Sequence, residues 1–256
     1  MIALRISPDW TVQNLLDAMA TRGPAPAVVT FVDDQVTSTS YAELAECARR
    51  LASGLLEAGV KPGAAIGIYA PNSVAWLVVR LAVGAVGAVT VAVDDLIGDA
   101  EAAGLLTDSD CRWLFTTSAH AHYLAEIAPA LDAEIFTLDD ALIGAETGCG
   151  WRDLLAETTV TLPPLAPSAP TALIFTSGTT GAPKAFTLSH ANLGANVRAL
   201  VAERLIDSSD RVLLPLPLHH VYPFVVGMLT TLATGAVLVL PEAITGPSIV
   251  HALRAG

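Results

Sequence analysis

Thr176-Ser177-Gly178-Thr179-Thr180-Gly181-Ala182-Pro183-Lys184 concentrates hydroxyls, two glycines and a lysine in a single turn. That is the chemistry a loop needs to hold a polyphosphate. Glycines let backbone N–H groups converge on an anion with no Cβ in the way. Hydroxyls add donors, and the lysine adds a compact positive charge. The preceding Thr171-Ala172-Leu173-Ile174-Phe175 reads as a short buried strand. The loop is therefore expected at the carboxyl end of a strand, where open α/β sheets bind ligands. The P-loop of nucleoside triphosphatases does not fit, because it needs four residues between its glycines and a Gly-Lys-Ser/Thr ending. Only Thr179 and Thr180 separate Gly178 from Gly181, and Ala185 follows the lysine. On composition alone, a Ser/Thr/Gly-rich surface turn without a ligand fits as well.

Other segments narrow the choice. Leu216-Pro217-Leu218-His219-His220-Val221-Tyr222 lies downstream. Upstream, in order, come Ser40-Tyr41-Ala42-Glu43-Leu44, Gly59-Val60-Lys61-Pro62-Gly63, Ala70-Pro71-Asn72-Ser73 and Gly87-Ala88-Val89. Together with the loop, these resemble the ordered motifs of the adenylate-forming (AMP-binding) superfamily, and bacterial fatty acyl-CoA synthetases above all. The resemblance runs from about Tyr41 to Gly256. Three departures stand out: Ala185 replaces the usual glycine after the lysine, Ala92 has no proline near it, and His219 stands where an aromatic is common. The later motifs, the hinge and the small C-terminal lid domain with its catalytic lysine do not occur before Gly256. The resemblance thus implies the N-terminal portion of a longer enzyme, inactive by itself.

Composition sets the remaining bounds. With 256 residues, 53% of them hydrophobic, the chain can bury one large core or two modest ones. Aromatics are only 5%, so that core must be aliphatic. The net charge of −12 and the lack of any Lys/Arg run exclude nucleic acid as an obvious partner. It also means that a phosphate site must be built locally. Cys47, Cys111 and Cys149 are odd in number and widely spaced. They suggest neither a zinc site nor a disulfide framework, which fits a cytoplasmic protein. Val221 to Leu240 carries no charge. Pro223, Gly227 and Gly235 break it, so it reads as a helix to Ala233, a turn and a buried strand over 236–240 rather than a membrane span.

Ser40 with Glu43 forms a capping box, followed by Leu44, Ala48, Leu51 and Leu55 on one helical face. Gly59 and Pro62 end that helix. A strand over 64–70, a helix over 73–87 and a strand over 89–93 make a βαβ unit, which implies parallel strands. Further strands are expected at 112–116, 134–137 and 212–216, with helices at 119–128 and 190–204. The expected fold is α/β, with layered βαβ sub-domains and largely parallel sheets. One sub-domain spans residues 1–165; a second, incomplete, spans 166–256 and carries the loop. The four prolines of 161–170 mark the linker between them.

The resemblance assigns roles residue by residue. Thr176, Ser177, Gly178, Thr179, Thr180, Gly181 and Lys184 contact the β- and γ-phosphates of ATP, and Lys184 neutralises the departing pyrophosphate. The ordinary alternative for Lys184 is a solvated surface lysine. His220 is placed beside the acyl carboxylate and the α-phosphate; a hydrogen-bonded core histidine is its alternative. His219 and Tyr222 line the acyl tunnel. Mg2+ ligands are expected mostly outside these residues, so no metal ligand is assigned here. His190 is read as a helix start, Cys47 as core, and His120, His122 and His251 as solvated. No carboxylate lies between Asp210 and Glu242. A substrate ammonium would have no counter-charge there, which favours an uncharged acid. The expected function is an ATP-dependent carboxylic acid ligase that forms an acyl-adenylate and then a thioester on CoA or carrier-protein phosphopantetheine. The alternatives are an aryl- or amino-acid adenylation domain loading a carrier protein, and a nucleotide-binding module without turnover.

Overall fold

A computed structural model describes residues 6–32, 35–128, 131–139, 149–176 and 184–255. The chain opens with α1 (Val12–Thr21), the hairpin β1 (Pro26–Val32) and β2 (Gln35–Ser40), and α2 (Tyr41–Glu57). Then follow β3 (Ala65–Tyr69), α3 (Val74–Ala85), β4 (Val89–Val93), α4 (Asp99–Asp108), β5 (Trp113–Thr116), α5 (Ser118–Ile127), β6 (Glu134–Thr137) and β7 (Cys149–Gly150). The last third comprises β8 (Pro170–Thr176), β9 (Lys184–Ser189), α6 (His190–Ala202) and β10 (Arg211–Leu213). A π-helical segment (Pro223–Leu229) leads into α7 (Thr230–Thr234), β11 (Val237–Val239) and α8 (Gly246–Ala255).

The strands form two sheets, ordered β10-β11-β1-β2 and β7-β6-β5-β3-β4-β8-β9. Pairing is parallel throughout except in the β1/β2 and β8/β9 hairpins. Strand alternation distributes the apolar side chains over both faces. Ile66, Ile68 and Phe115 join Val28, Leu238 and the inner faces of α1, α2 and α3 in a shared core between the sheets. Tyr69, Val91, Val93 and Leu114 point the other way, onto Ala102 and Leu106 of α4 and Leu124 of α5. Val29, Phe31, Val237 and Val239 meet Ala252 of α8 on the outer face of the smaller sheet. The result is five layers, helix–sheet–helix–sheet–helix, as an α/β fold with parallel strands requires.

Local chemistry explains most element ends. Ser40 Oγ accepts from the Glu43 amide at 3.2 Å, and Glu43 Oε2 accepts from the Ser40 amide at 2.8 Å, closing the expected capping box of α2. Gly59 after α2 has φ +88°, in the left-handed region where a Cβ is unfavourable. α3 is buried all round, from Trp76 to Ala85. Gly84 on it approaches Val12 and Thr171 closely enough that a Cβ would stand 3.0 and 3.2 Å from their side chains.

Several expectations need correction. Each sheet takes strands from both sides of residue 165, so the layers do not divide at the expected sub-domain boundary. β9 intervenes between the loop and α6, where only a helix was expected. The strand expected over 212–216 stops at Leu213; the Leu214 amide still donates to the Val239 carbonyl at 2.9 Å, and Pro215 after it has no N–H to donate. The expected helix before Ala233 starts as a π-helix, in which the Thr230 amide bonds the Val225 carbonyl and Thr230 Oγ1 reaches that same oxygen at 2.9 Å. A left-handed Gly235 then ends α7 and admits β11, as read from the sequence. No helix among the described residues is long and apolar enough to cross a membrane.

Candidate functional site

The carboxyl edge of the larger sheet gathers the residues singled out by sequence. β8 and β9 pair antiparallel down to Thr176 opposite Lys184, and Thr176 Oγ1 donates to the Lys184 carbonyl at 3.2 Å. Ser177, Gly178, Thr179, Thr180 and Gly181 lie outside the described residues. Their anchor points are thus a closed hairpin base, with Lys184 exposed at its mouth. β8 runs parallel to β4 with Val91 opposite Leu173. Asp94 follows the last residue of β4, and Thr176 is the last residue of β8.

Onto this edge folds the segment 214–222. Asn72, in the turn after β3, holds it with both ends of its amide. Nδ2 donates to the Leu216 carbonyl at 2.9 Å, and Oδ1 accepts from the Leu218 amide at 2.9 Å. Leu214 and Leu218 are buried, so the segment has two apolar anchors as well as the amide clamp. His219 and His220 follow. Their rings tilt at 55° with centroids 4.0 Å apart, and their Nε2 atoms approach to 3.1 Å. His219 Nε2 also lies 3.7 Å from Asp94 Oδ2. Burial, and then the neighbouring His220, lower the pKa of His219, against the pull of Asp94 and Asp95. His220 is exposed, and Tyr222 stands out to solvent at 63% exposure.

Space thus supplies what the linear segment lacks. The stretch between Asp210 and Glu242 has no carboxylate of its own, yet Asp94 and Asp95 face His219, and their ligating atoms and His219's lie within 4.8 Å of one another. Asp94 Oδ1 accepts from the Leu96 amide at 3.0 Å, which turns Oδ2 toward the histidines. Carboxylates absent from the segment itself thus stand beside its histidines in space.

Other histidines also depart from expectation. His120 is not solvated: Nδ1 lies 2.6 Å from Asp99 Oδ1, and its ring lies 4.0 Å from that of Tyr69. His251 puts its ring edge on Phe31 at 5.2 Å and buries its Nε2. His190 starts α6 as expected but is fully enclosed; its Nδ1 accepts from the Val12 amide at 3.4 Å. Burial, aided by the Arg80 charge, pushes its pKa down to about 4. Cys47 is only half-buried and lines a cleft of about 410 Å³ with Phe31, Trp151 and Asn72. That cleft adjoins the histidines through Asn72 but none of His219, His220 and Tyr222 lines it.

The sequence reading missed Arg80. It is buried in α3, donating from Nη1 to Thr90 Oγ1 at 2.7 Å and to the Thr171 carbonyl at 2.9 Å. Its guanidinium lies 4.3 Å from the Phe224 ring centroid. Burial pushes its pKa down to about 9, so it stays charged at neutral pH. Arg80 thereby ties α3, β4, β8 and the π-helical segment into one unit beneath the sheet edge.

This arrangement agrees with comparisons to known proteins. The AMP-binding enzyme family model matches residues 16–254. The mitochondrial medium-chain acyl-CoA ligase of Rattus norvegicus is 29% identical over 261 residues, which span 90% of this chain and 42% of that protein. Feruloyl-CoA synthase of Amycolatopsis sp is 31% identical over 227 residues, spanning 85% of this chain and 42% of that one. Among solved structures, ATP-bound MatB from Rhodopseudomonas palustris shares the fold, with a TM-score of 0.80 and 24% identity over 96% of this chain and 48% of that one. The chain spans less than half the length of these relatives. On its motifs, its layers and this match, the chain belongs to the AMP-binding enzyme family.

Proposed function

We propose that this chain supplies the N-terminal, phosphate-handling part of an ATP-dependent carboxylic acid–thiol ligase of the fatty acyl-CoA synthetase type. In this reaction a carboxylate oxygen attacks the α-phosphorus of ATP, forming acyl-adenylate and releasing pyrophosphate. A thiol then attacks the acyl carbon, forming the thioester and releasing AMP. The observation that carries the proposal is the hairpin base, with Thr176 opposite Lys184 at the carboxyl edge of a parallel sheet. That is where an anion-binding loop in an α/β protein belongs. Loop residues 176–181 donate to the β- and γ-phosphates, and Lys184 offsets the negative charge that builds on the leaving pyrophosphate. Such preorganised charge is where electrostatic catalysis is strongest.

His220, exposed at the same edge, hydrogen-bonds the acyl carboxylate, while His219 and Tyr222 flank the acyl group. The thiol acceptor is CoA or carrier-protein phosphopantetheine, with CoA favoured by relatives named as CoA ligases. ATP has a precedent in the ATP-bound neighbour of the same fold. Mg2+ accompanies the nucleotide, on ligands expected mostly outside these residues. The cysteine pattern fits a reducing compartment such as the cytoplasm.

The test is pyrophosphate exchange and thioester formation across a panel of fatty and aryl acids, by a protein extended to the length of its relatives. Lys184→Ala should abolish most exchange. Full exchange in that variant would overturn the assignment of the loop. An aryl- or amino-acid adenylation domain predicts turnover with phosphopantetheinylated carrier protein but none with free CoA.

A further inference from the structure

We propose that Asp94, Asp95, His219 and His220 form a site for one divalent transition-metal ion of the zinc type. Three of these residues already present ligating atoms within 4.8 Å of one another. Asp94 Oδ2 lies 3.7 Å from His219 Nε2, and His220, outside that group of three, has its Nε2 3.1 Å from the same nitrogen. A tetrahedral ion with bonds of roughly 2.0–2.1 Å needs donor atoms about 3.3 Å apart. The two measured separations fall on either side of that value.

The donor types matter as much as the spacing. Two imidazoles with two carboxylates suit zinc and its neighbours in the transition series, whereas Mg2+ and Ca2+ favour all-oxygen sites. In the absence of an ion the two imidazoles share one proton in a 3.1 Å Nε2–Nε2 hydrogen bond. An ion breaks that hydrogen bond, and the exposed His220 ring turns to bring its lone pair, with that of His219, onto the ion. The two carboxylates bring negative charge to the same point.

The surroundings hold the ligands as outer partners hold them in metal sites. The Leu96 amide fixes one oxygen of Asp94 and leaves the other facing His219. Asn72 clamps the backbone on both sides of Pro217, just before the two histidines. The His219 side chain is 10% exposed and that of Asp94 37%, so the site has a fixed nitrogen within and an open carboxylate through which an ion enters. A bound ion would cross-link the end of β4 to the 214–222 segment. It would also occupy the His220 nitrogen, and so compete with the acyl carboxylate; that consequence alone rests on the function proposed above.

The experiment uses this 256-residue chain, stripped with a chelator and titrated with Zn2+ against a chromophoric competitor. Co2+ in place of Zn2+ reports geometry through its visible absorption. One equivalent of Zn2+ is expected, together with the intense cobalt bands of a four-coordinate site. Asp94→Asn, Asp95→Asn and His219→Phe should each weaken Zn2+ at least ten-fold, with folding checked by circular dichroism. His122→Gln, at an exposed histidine on α5, should leave affinity unchanged. No stoichiometric uptake by the folded chain, or unchanged affinity in the folded aspartate variants, would overturn the proposal. Neither ATP nor an acid is present, so the ligase reading can stand while this site fails, and the reverse.

Discussion

Removing the Asn72 side chain should release the segment that carries His219 and His220. Asn72 makes two hydrogen bonds to that segment, one donated to the Leu216 carbonyl and one accepted from the Leu218 amide, each 2.9 Å long. Each is worth about 1 kcal/mol net. Asn72→Ala should therefore cost about 2 kcal/mol locally, a factor of about 30 in the opening of residues 216–220. The buried side chain of Leu218 still anchors the segment, so the loss should be a local opening rather than global unfolding. Amide hydrogen exchange reads this directly: the Leu218 N–H, which donates to Asn72, should exchange about 30-fold faster, while amides in α3 keep their protection. Asn72→Asp separates the two bonds. It can still accept from Leu218 but cannot donate to the Leu216 carbonyl, and it sets a negative charge against that oxygen. Its Leu218 amide should exchange at a rate between wild type and Asn72→Ala. In a catalytically complete protein, kcat for adenylation should fall more than KM rises if His220 has the proposed role at the reacting carboxylate. Equal Leu218 exchange in wild type and Asn72→Ala would refute the clamp, whatever the activity does.

Three further outcomes follow from the geometry. Lys184→Ala should lower pyrophosphate exchange by about 10²–10³ and leave the melting temperature nearly unchanged, since the residue is exposed at a strand end; a large drop in melting temperature would mean that its role is structural. His190 is held neutral, with its pKa pushed down to about 4 against 6.5 unfolded. The unfolded chain therefore binds the extra proton between those values, and stability that is fully present above pH 6.5 is lost as pH falls toward 4, by about 3 kcal/mol. His190→Gln should flatten that part of the stability curve, and parallel curves for the two proteins would exclude His190 as its source. Gly54→Ala would drive a Cβ into the Leu154 carbonyl, so α2 and the Trp151–Leu154 turn must separate and strain the bond from Arg50 Nε to the Ala156 carbonyl. Overpacking of this kind costs about 3 kcal/mol, and thermal melts unchanged by the substitution would contradict the close approach.

What could be read in the sequence was local, and what could not was tertiary. The Ser40–Glu43 box, the βαβ unit over 65–93 and the turn at Gly235 are each encoded within a few residues, and the structure reproduces all of them. β2 escaped because Gln35-Val36-Thr37-Ser38-Thr39-Ser40 is exposed along most of its length; it is a strand only because β1 pairs with it, and its composition has no apolar alternation to show. The histidine cluster escaped for the converse reason. His219 was visible as a candidate, but its partners Asp94 and Asp95 follow a strand of the other sheet, and only tertiary packing, with Asn72 clamping the 216–218 segment, carries one to the other. Arg80 is the instructive miss, because its signal was there. It interrupts Val74-Ala75-Trp76-Leu77-Val78-Val79 and Leu81-Ala82-Val83 within a helix that has no polar face. A helix apolar on all sides has no route by which an arginine reaches water. Such a charge must find carbonyls, hydroxyls or an aromatic ring inside the protein, and Thr90, Thr171 and Phe224 provide them. A lone cation in an all-apolar helix therefore marks, by its sequence context alone, a residue that ties neighbouring elements together.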